Sequence, residues 1–263
     1  MATVFKKVPA IDKCFAILEL LAKPNQPLGI SEISRQLKLN KSTVFNTIHT
    51  LTELDVLENA SDGKFRFGTR LYILGNSAGN SSELIQTVHP FLETINQKTQ
   101  LSAFLGIRSG LSAIIVDKVD TAYNIKISSE VGMRLPLLAG AGGKALLSLL
   151  PQKEIDRVLL ENKLKKFTPK TCVDKAVYRK EIQKTQKEGI AFDMEEYIEG
   201  IIAFAVPLKT YRKDLQAAIW AVGLKRQAPK NLTPGFSDLL KKIAGEINYR
   251  FSVAVGRPAA EKL

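Results

Sequence analysis

Residues 28 to 57 read LGISEISRQLKLNKSTVFNTIHTLTELDVL, a stretch that folds as two helices joined by a tight turn. In the second helix, Lys41 to Leu54, Val44, Ile48, Leu51 and Leu54 fall on one side at the spacing of a buried stripe. Ser42, Thr43, Asn46, His49 and Thr50 fall on the other side. These short polar groups can reach base edges when a helix lies in a major groove. Asn40 stands where a cap is expected. The preceding helix should start near Ser31 and bury Ile33 and Leu37, and Lys38-Leu39-Asn40 is a turn of helix-turn-helix length.

A polar outer face that meets only water is the competing reading, and the segment after this helix favours DNA. Val56 to Asn59 and Lys64 to Phe67 read as short strands around Ala60-Ser61-Asp62-Gly63, and Asp-Gly is a strong hairpin signal. A hairpin after the recognition helix is the wing of a winged helix. In its second strand Lys64 and Arg66 should point outward and Phe65 and Phe67 inward. Lys41, Lys64 and Arg66 are therefore expected toward phosphates.

The chain has 263 residues, enough for two domains, and 45% hydrophobic content, enough for packed cores. Its net charge of +12 favours an anionic partner. Residues 1 to 80 hold 10 basic and 7 acidic residues, a net of only +3, so one copy should bind DNA weakly and two copies on two half-sites are expected. The two cysteines, Cys14 and Cys172, suggest no disulfide framework. No signal peptide is visible and no apolar run approaches 18 residues, so a cytoplasmic protein without a membrane partner is expected.

Met1 to Val8 reads as a short arm with Lys6 and Lys7, which either touches phosphates or, the favoured reading, is disordered. A helix runs from Pro9 to about Ala22 with Ile11, Phe15, Leu18 and Leu21 on one face. Gly68 to Ser82 holds a short helix, and the domain boundary falls at 82/83, giving domains 1–82 and 83–263. Glu83 to Lys98 is helical, and Pro90 should kink or split it. Leu101 to Ile107, Leu111 to Asp117 and Tyr123 to Ser128 read as strands, the first two around a turn at Arg108-Ser109-Gly110. Leu137 to Ala141 reads as a loop, and helices follow at Gly142 to Leu150, Lys153 to Leu160 and Lys175 to Lys187, the last stopped by Gly189. Strands at Ile190 to Asp193, Ile201 to Leu208 and Leu215 to Gly223 and a helix at Phe236 to Phe251 complete an α+β domain with a mainly antiparallel sheet.

No catalytic constellation stands out, so neither an enzyme nor a cofactor is expected. Gly140-Ala141-Gly142-Gly143-Lys144 fails the Walker pattern, because Leu138 and Ala145 stand where Gly and Ser/Thr are needed. With two histidines and two cysteines there is no transition-metal cluster. The acidic group Asp193, Glu195, Glu196 and Glu199 reads as a solvated loop rather than a metal site. His89, beside Pro90, reads as structural.

The chain resembles the isocitrate lyase regulator (IclR) family of bacterial transcription factors from about Val8 to Phe251. The resemblance rests on Ala10-Ile11-Asp12, the Leu39-to-Val44 turn and helix start, and Phe67-Gly68-Thr69-Arg70-Leu71. In the second domain it rests on Arg134-Leu135-Pro136-Leu137, Gly143-Lys144-Ala145-Leu146-Leu147, the run Gly189 to Glu196, and Gly200, Ala205 and Pro207. It implies a winged helix-turn-helix, a linker helix and a C-terminal GAF-like effector domain. It also implies a dimer or tetramer on a promoter, repressing or activating as a small organic or aromatic acid binds. A small-molecule sensor acting through protein partners rather than DNA is the alternative.

Two departures matter. Asn46 stands where the family commonly has arginine, and Asn pairs with adenine whereas Arg prefers guanine. Ala203 stands where members that bind small oxoacids have cysteine, and Trp220 and Val222 stand where they have serines. An effector pocket is therefore expected between Leu137, Gly140, Ala141 and Gly142 and the strands carrying Ile201, Ala203, Trp220 and Val222. Amides at the start of the Gly142 helix could hold a carboxylate and Asp193 could accept a hydroxyl hydrogen. The apolar wall suits an aromatic acid better than a glyoxylate-like one. Against this, Trp220 could fill the space as core.

Overall fold

In the computed structural model, described residues are 6–23, 27–80, 82–122, 127, 129–210, 212, 214–227 and 233–255. They fall into two compact units, 1–81 and 82–263.

The first unit is built on α1 (Pro9–Leu21), α2 (Ile30–Leu37) and α3 (Lys41–Glu53). A three-stranded antiparallel sheet joins them, β1 (Leu28–Gly29), β2 (Leu57–Asn59) and β3 (Lys64–Phe67), with β3 in the middle. The linker helix α4 (Thr69–Asn80) follows. Ile17, Leu20, Ile33, Val44, Ile48, Leu51, Leu57 and Phe65 form the core. The hairpin turn is Ser61–Gly63, with Asp62 and Gly63 both at positive φ (62° and 66°). That is the conformation the Asp-Gly pair tolerates.

The packing departs from expectation at several points. α1 buries Ile17 and Leu20 and exposes Ile11 and Phe15, because the core takes the neighbouring stripe of an apolar helix. Asn40 occupies the N-cap of α3 but makes no side-chain cap bond. Leu54 is the C-cap, beyond the last helical turn, and is exposed. α2 begins at Ile30, where the Gly29 N–H donates to Glu32 Oε2 (2.8 Å).

The second unit carries α5 (Glu83–Thr99), β4 (Ser102–Ser109), β5 (Ser112–Val119), β6 (Arg134–Pro136), α6 (Gly140–Leu147), α7 (Gln152–Glu161) and α8 (Lys175–Glu188). Then come β7 (Ala191–Met194), β8 (Ile201–Leu208), β9 (Ala217–Leu224) and α9 (Thr233–Val255). The six strands form one antiparallel sheet in the order β6-β5-β4-β9-β8-β7. Alternation along each strand gives it two buried faces. Ala103, Leu105, Phe204, Val206, Ile219 and Ala221 face α5 and α9. Phe104, Ala203, Ala205, Ala218 and Trp220 face α6, α7 and α8.

α5 runs unbroken through Pro90 instead of splitting there. The β4–β5 turn falls at Gly110-Leu111, beyond the expected position. β1 and β6 went unforeseen. The strand expected at Tyr123 to Ser128 lies outside the described residues apart from Ile127, as does the arm at residues 1–5. α6 starts at Gly140 rather than Gly142; Gly140 itself is left-handed (φ 68°), so regular helix begins one residue on.

A close approach sets the seat of α6. A Cβ at Gly143 would stand 2.0 Å from the Leu137 carbonyl oxygen, a backbone atom that cannot turn aside. Gly143→Ala should therefore lower the stability of the second unit by at least about 1–3 kcal/mol, read as an earlier transition in denaturant. An unchanged midpoint would contradict this seating.

Candidate nucleic-acid interface and ligand pocket

The first unit presents α3. Val44, Ile48 and Leu51 hold its inner side in the core. Lys41, Ser42, Asn46, His49 and Thr50 are exposed, and Thr43 is half-buried. The hydroxyls differ in availability. Thr50 Oγ1 donates to the Asn46 carbonyl (2.8 Å) and Thr47 Oγ1 to the Thr43 carbonyl (2.8 Å), so these hydrogens are committed to the helix backbone. Phe45 also stands on this surface, half exposed, its ring centroid 4.2 Å from that of His49. The wheel did not single it out, because it lies on the flank between the buried stripe and the polar face.

On the wing, Glu58 pairs with Arg66 across β2 and β3. Arg66 points outward as expected, and its Nε donates to Glu58 Oε1 (2.6 Å), an ion pair that the sequence did not reveal. Lys64 is half-buried.

The second unit holds a cavity of about 130 Å³ on the α6 face of the sheet. Its floor is Phe104, Ile201, Ala203, Trp220 and Val222, and one wall is the start of α6, Ala139 to Gly143. Asp193, Tyr197 and Ile198 form the side, and Ile127, Ser129, Met133, Leu135 and Pro136 the cover. Of the expected pocket residues, Gly140, Ala141, Gly142, Asp193, Ile201, Ala203, Trp220 and Val222 all line it. Leu137 does not; it is fully buried in the core behind.

Register explains how an indole fits. Trp220 lies between Phe104 on β4 and Ala205 on β8. A Cβ at Gly106 would come within 2.1 Å of Trp220 Cη2, and one at Gly142 within 3.2 Å of Cε3. The ring is thus held between two glycines, buried yet still part of the cavity wall.

The acidic loop is solvated only in part, with Glu199 exposed and Asp193 buried. Asp193 is 5% exposed, and its Oδ1 accepts from the Glu196 N–H (2.6 Å). Lys144, 3% exposed, puts Nζ 2.8 and 2.7 Å from the Glu196 carboxylate oxygens and 2.5 Å from Glu181 Oε2, and donates to the Phe192 carbonyl (3.1 Å). Burial alone would depress the Lys144 pKa, but Glu196 and Glu181 together outweigh it and raise it. Thr168 and Thr171 hydroxyls donate to the carbonyls of Glu195 and Glu196. Outside, Lys170 and Lys225 hold the Glu195 carboxyl down to about 2. The burial of Lys144 and its pairing with Glu181 and Glu196 were missed in the sequence; a lysine inside the apolar run Ala141 to Leu150 was the available signal.

No group of three or more His, Cys, Asp or Glu able to hold a metal occurs among the described residues. Among the same residues no helix is long and apolar enough to cross a membrane. His89 Nδ1 lies 2.8 Å from Asp117 Oδ2, joining α5 to β5, as a structural histidine would.

Comparison with known proteins gives this geometry its class. The IclR helix-turn-helix domain matches residues 10–61, and the C-terminal domain of bacterial transcriptional regulator IclR matches residues 77–249. The chain belongs to the IclR family of bacterial transcriptional regulators. It is a ligand-responsive DNA-binding transcriptional regulator, in a family of transcription factors rather than enzymes. It is 26% identical to the HTH-type transcriptional regulator XynR of Escherichia coli (strain K12), over 96% of this chain and 99% of that one. An IclR transcriptional regulator from Alicyclobacillus acidocaldarius shares the fold, with a TM-score of 0.83 at 22% identity over 93% of this chain and 99% of the other. So does an IclR homolog from Microbacterium hydrocarbonoxydans complexed with 4-hydroxybenzoate, with a TM-score of 0.79 at 22% identity and the same coverage.

Asp193 carries a pH consequence. Burial raises its pKa, with the Glu196 amide and Lys144 opposing. The folded state therefore holds the Asp193 proton more tightly than the unfolded state. The resulting destabilisation is absent below the unfolded pKa of about 3.9, grows above it and levels off once pH exceeds the folded value. Asp193→Asn, which keeps an acceptor for Glu196, should gain stability relative to the parent as pH rises above about 4. A difference that does not change with pH in denaturant titrations would remove this assignment.

Proposed function

We propose that the protein binds an inverted-repeat promoter site as a homodimer or homotetramer. Ser42, Thr43, Asn46, His49 and Thr50 face the bases, and Lys41, Lys64 and Arg66 face the phosphates. DNA occupancy is governed by a small carboxylic acid, aromatic or otherwise apolar, in the cavity at the start of α6. The observation that carries the effector reading is the cavity. It is about 130 Å³, close to the roughly 150 Å³ of a dry cavity that takes up benzene. Its walls are apolar and aromatic, with the amides of an α-helix start at one side and Asp193 beside them. 4-Hydroxybenzoate, the ligand in the complex of the Microbacterium homolog, is an aromatic carboxylic acid, the chemistry that these walls suit.

A second copy is supported by apolar side chains that the first unit leaves in solvent, Ile11 and Phe15 on α1 and Tyr72, Ile73 and Leu74 on α4. The weak +3 charge of residues 1 to 80 points the same way.

On DNA, Asn46→Ala should cost about 1–3 kcal/mol and relax base choice at one position per half-site. Lys64→Ala should weaken all sequences alike and reduce the salt slope. Quantitative gel-shift titrations read both, and unchanged binding in both variants would sink this docking.

Trp220 is the chain's one tryptophan, so the pocket reports on itself. Titration with 4-hydroxybenzoate, benzoate and glyoxylate should perturb its fluorescence with the aromatic acids and change DNA occupancy in parallel, while Trp220→Phe loses the optical signal. If only glyoxylate moves DNA and no aromatic acid perturbs Trp220, the pocket is wrongly assigned.

A further inference from the structure

We infer that Phe45 reads thymine through its C5-methyl group. The inference rests on the DNA-binding reading above and adds a specificity determinant to it. Phe45 is 50% exposed on a helix whose solvent side is otherwise Lys41, Ser42, Asn46, His49, Thr50 and, at its far end, Glu53. Its position is built. The buried ring of Phe65 on β3 meets His49 edge-on at 6.4 Å, and His49 lies 4.2 Å from Phe45. A chain of rings rooted in the core therefore supports the aromatic group that ends in solvent.

A benzyl side chain offers neither donor nor acceptor. Of the groups that base pairs display in the major groove, the thymine methyl is the apolar one. Phe45 is also the immediate neighbour of Asn46, whose amide suits the N6 and N7 of adenine. The two residues together select an A·T-containing step, Asn46 by hydrogen bonds and Phe45 by methyl contact. Hydrogen-bond readout alone would leave uracil and thymine equivalent at that position, which makes the two mechanisms separable.

The test uses the full chain. Duplexes are selected from a random pool, and each thymine of the enriched site is replaced in turn by uracil. One thymine per half-site should lose about fourfold in affinity on this change, the effect expected for exposing one methyl group. With Phe45→Ala that sensitivity should vanish, and with Phe45→Leu, which keeps an apolar contact, part of it should remain. His49→Ala, which removes the ring support, should reduce it. Because Phe45 is half exposed, the Ala variant should melt with the parent, and thermal denaturation checks this. Absence of any uracil-sensitive position in the parent, or equal sensitivity in Phe45→Ala, overturns the inference and leaves DNA binding intact. Failure of the selection to enrich any sequence overturns the DNA-binding reading and this inference with it.

Discussion

The ammonium of Lys144 is the group on which the ligand-binding unit turns. It is a buried charge on the helix that forms one cavity wall, and its partners come from α8 and from the loop beyond β7. Removing a cation from water carries a penalty of several kcal/mol, which only near partners of opposite charge offset. Glu196 and Glu181 meet that condition together, and the Phe192 carbonyl takes a further hydrogen bond. The ammonium thus ties three chain segments to one point. Because Glu196 also donates its amide to Asp193, the acid that faces the cavity is held by the same point.

The apolar floor works by a different principle. Shape, not charge, decides where Trp220 lies. The indole has room because Gly106 and Gly142 present no side chain and Ala205 presents a small one. A polar pocket could be built on the same six strands by changing residues at the positions of Ala203, Trp220 and Val222, since alternation already turns all three toward the cavity. The sheet therefore supplies positions, and three side chains supply much of the chemical character.

The winged helix was legible because its signals are local. Val44, Ile48 and Leu51 recur at helical spacing, and Asp62-Gly63 marks the turn of the hairpin. The eight lining residues expected at the pocket were legible in part from strand alternation and a glycine run, and in part from likeness to a family. What escaped was non-local or too short to have a period. β1 and β6, of two and three residues, are strands because β3 and β5 pair with them, not because of propensity. The buried state of Lys144 depends on Glu181 and Glu196, which lie far along the chain. The stripe on α1 was misread since that helix is apolar on more than one side, and only packing selects Ile17 and Leu20. The pairing of Arg66 with Glu58 escaped because the cross-strand partner becomes visible only once the register is known.

The threonines that bond back to their own helix have a statistical consequence. With the Thr47 and Thr50 hydroxyl hydrogens committed to backbone carbonyls, α3 keeps fewer free donors with which to distinguish bases than its sequence suggests. One such helix carries little information, and a bacterial genome presents on the order of a million competing positions. A short word of bases would recur by chance many times over. In the two-copy arrangement proposed above, discrimination resides largely in the distance and orientation between two such words, quantities fixed by how copies of the chain are joined rather than by any single side chain. Regulators that differ little in α3 could in this way serve separate genes, and an altered subunit geometry could redirect one without a change in any residue that touches a base.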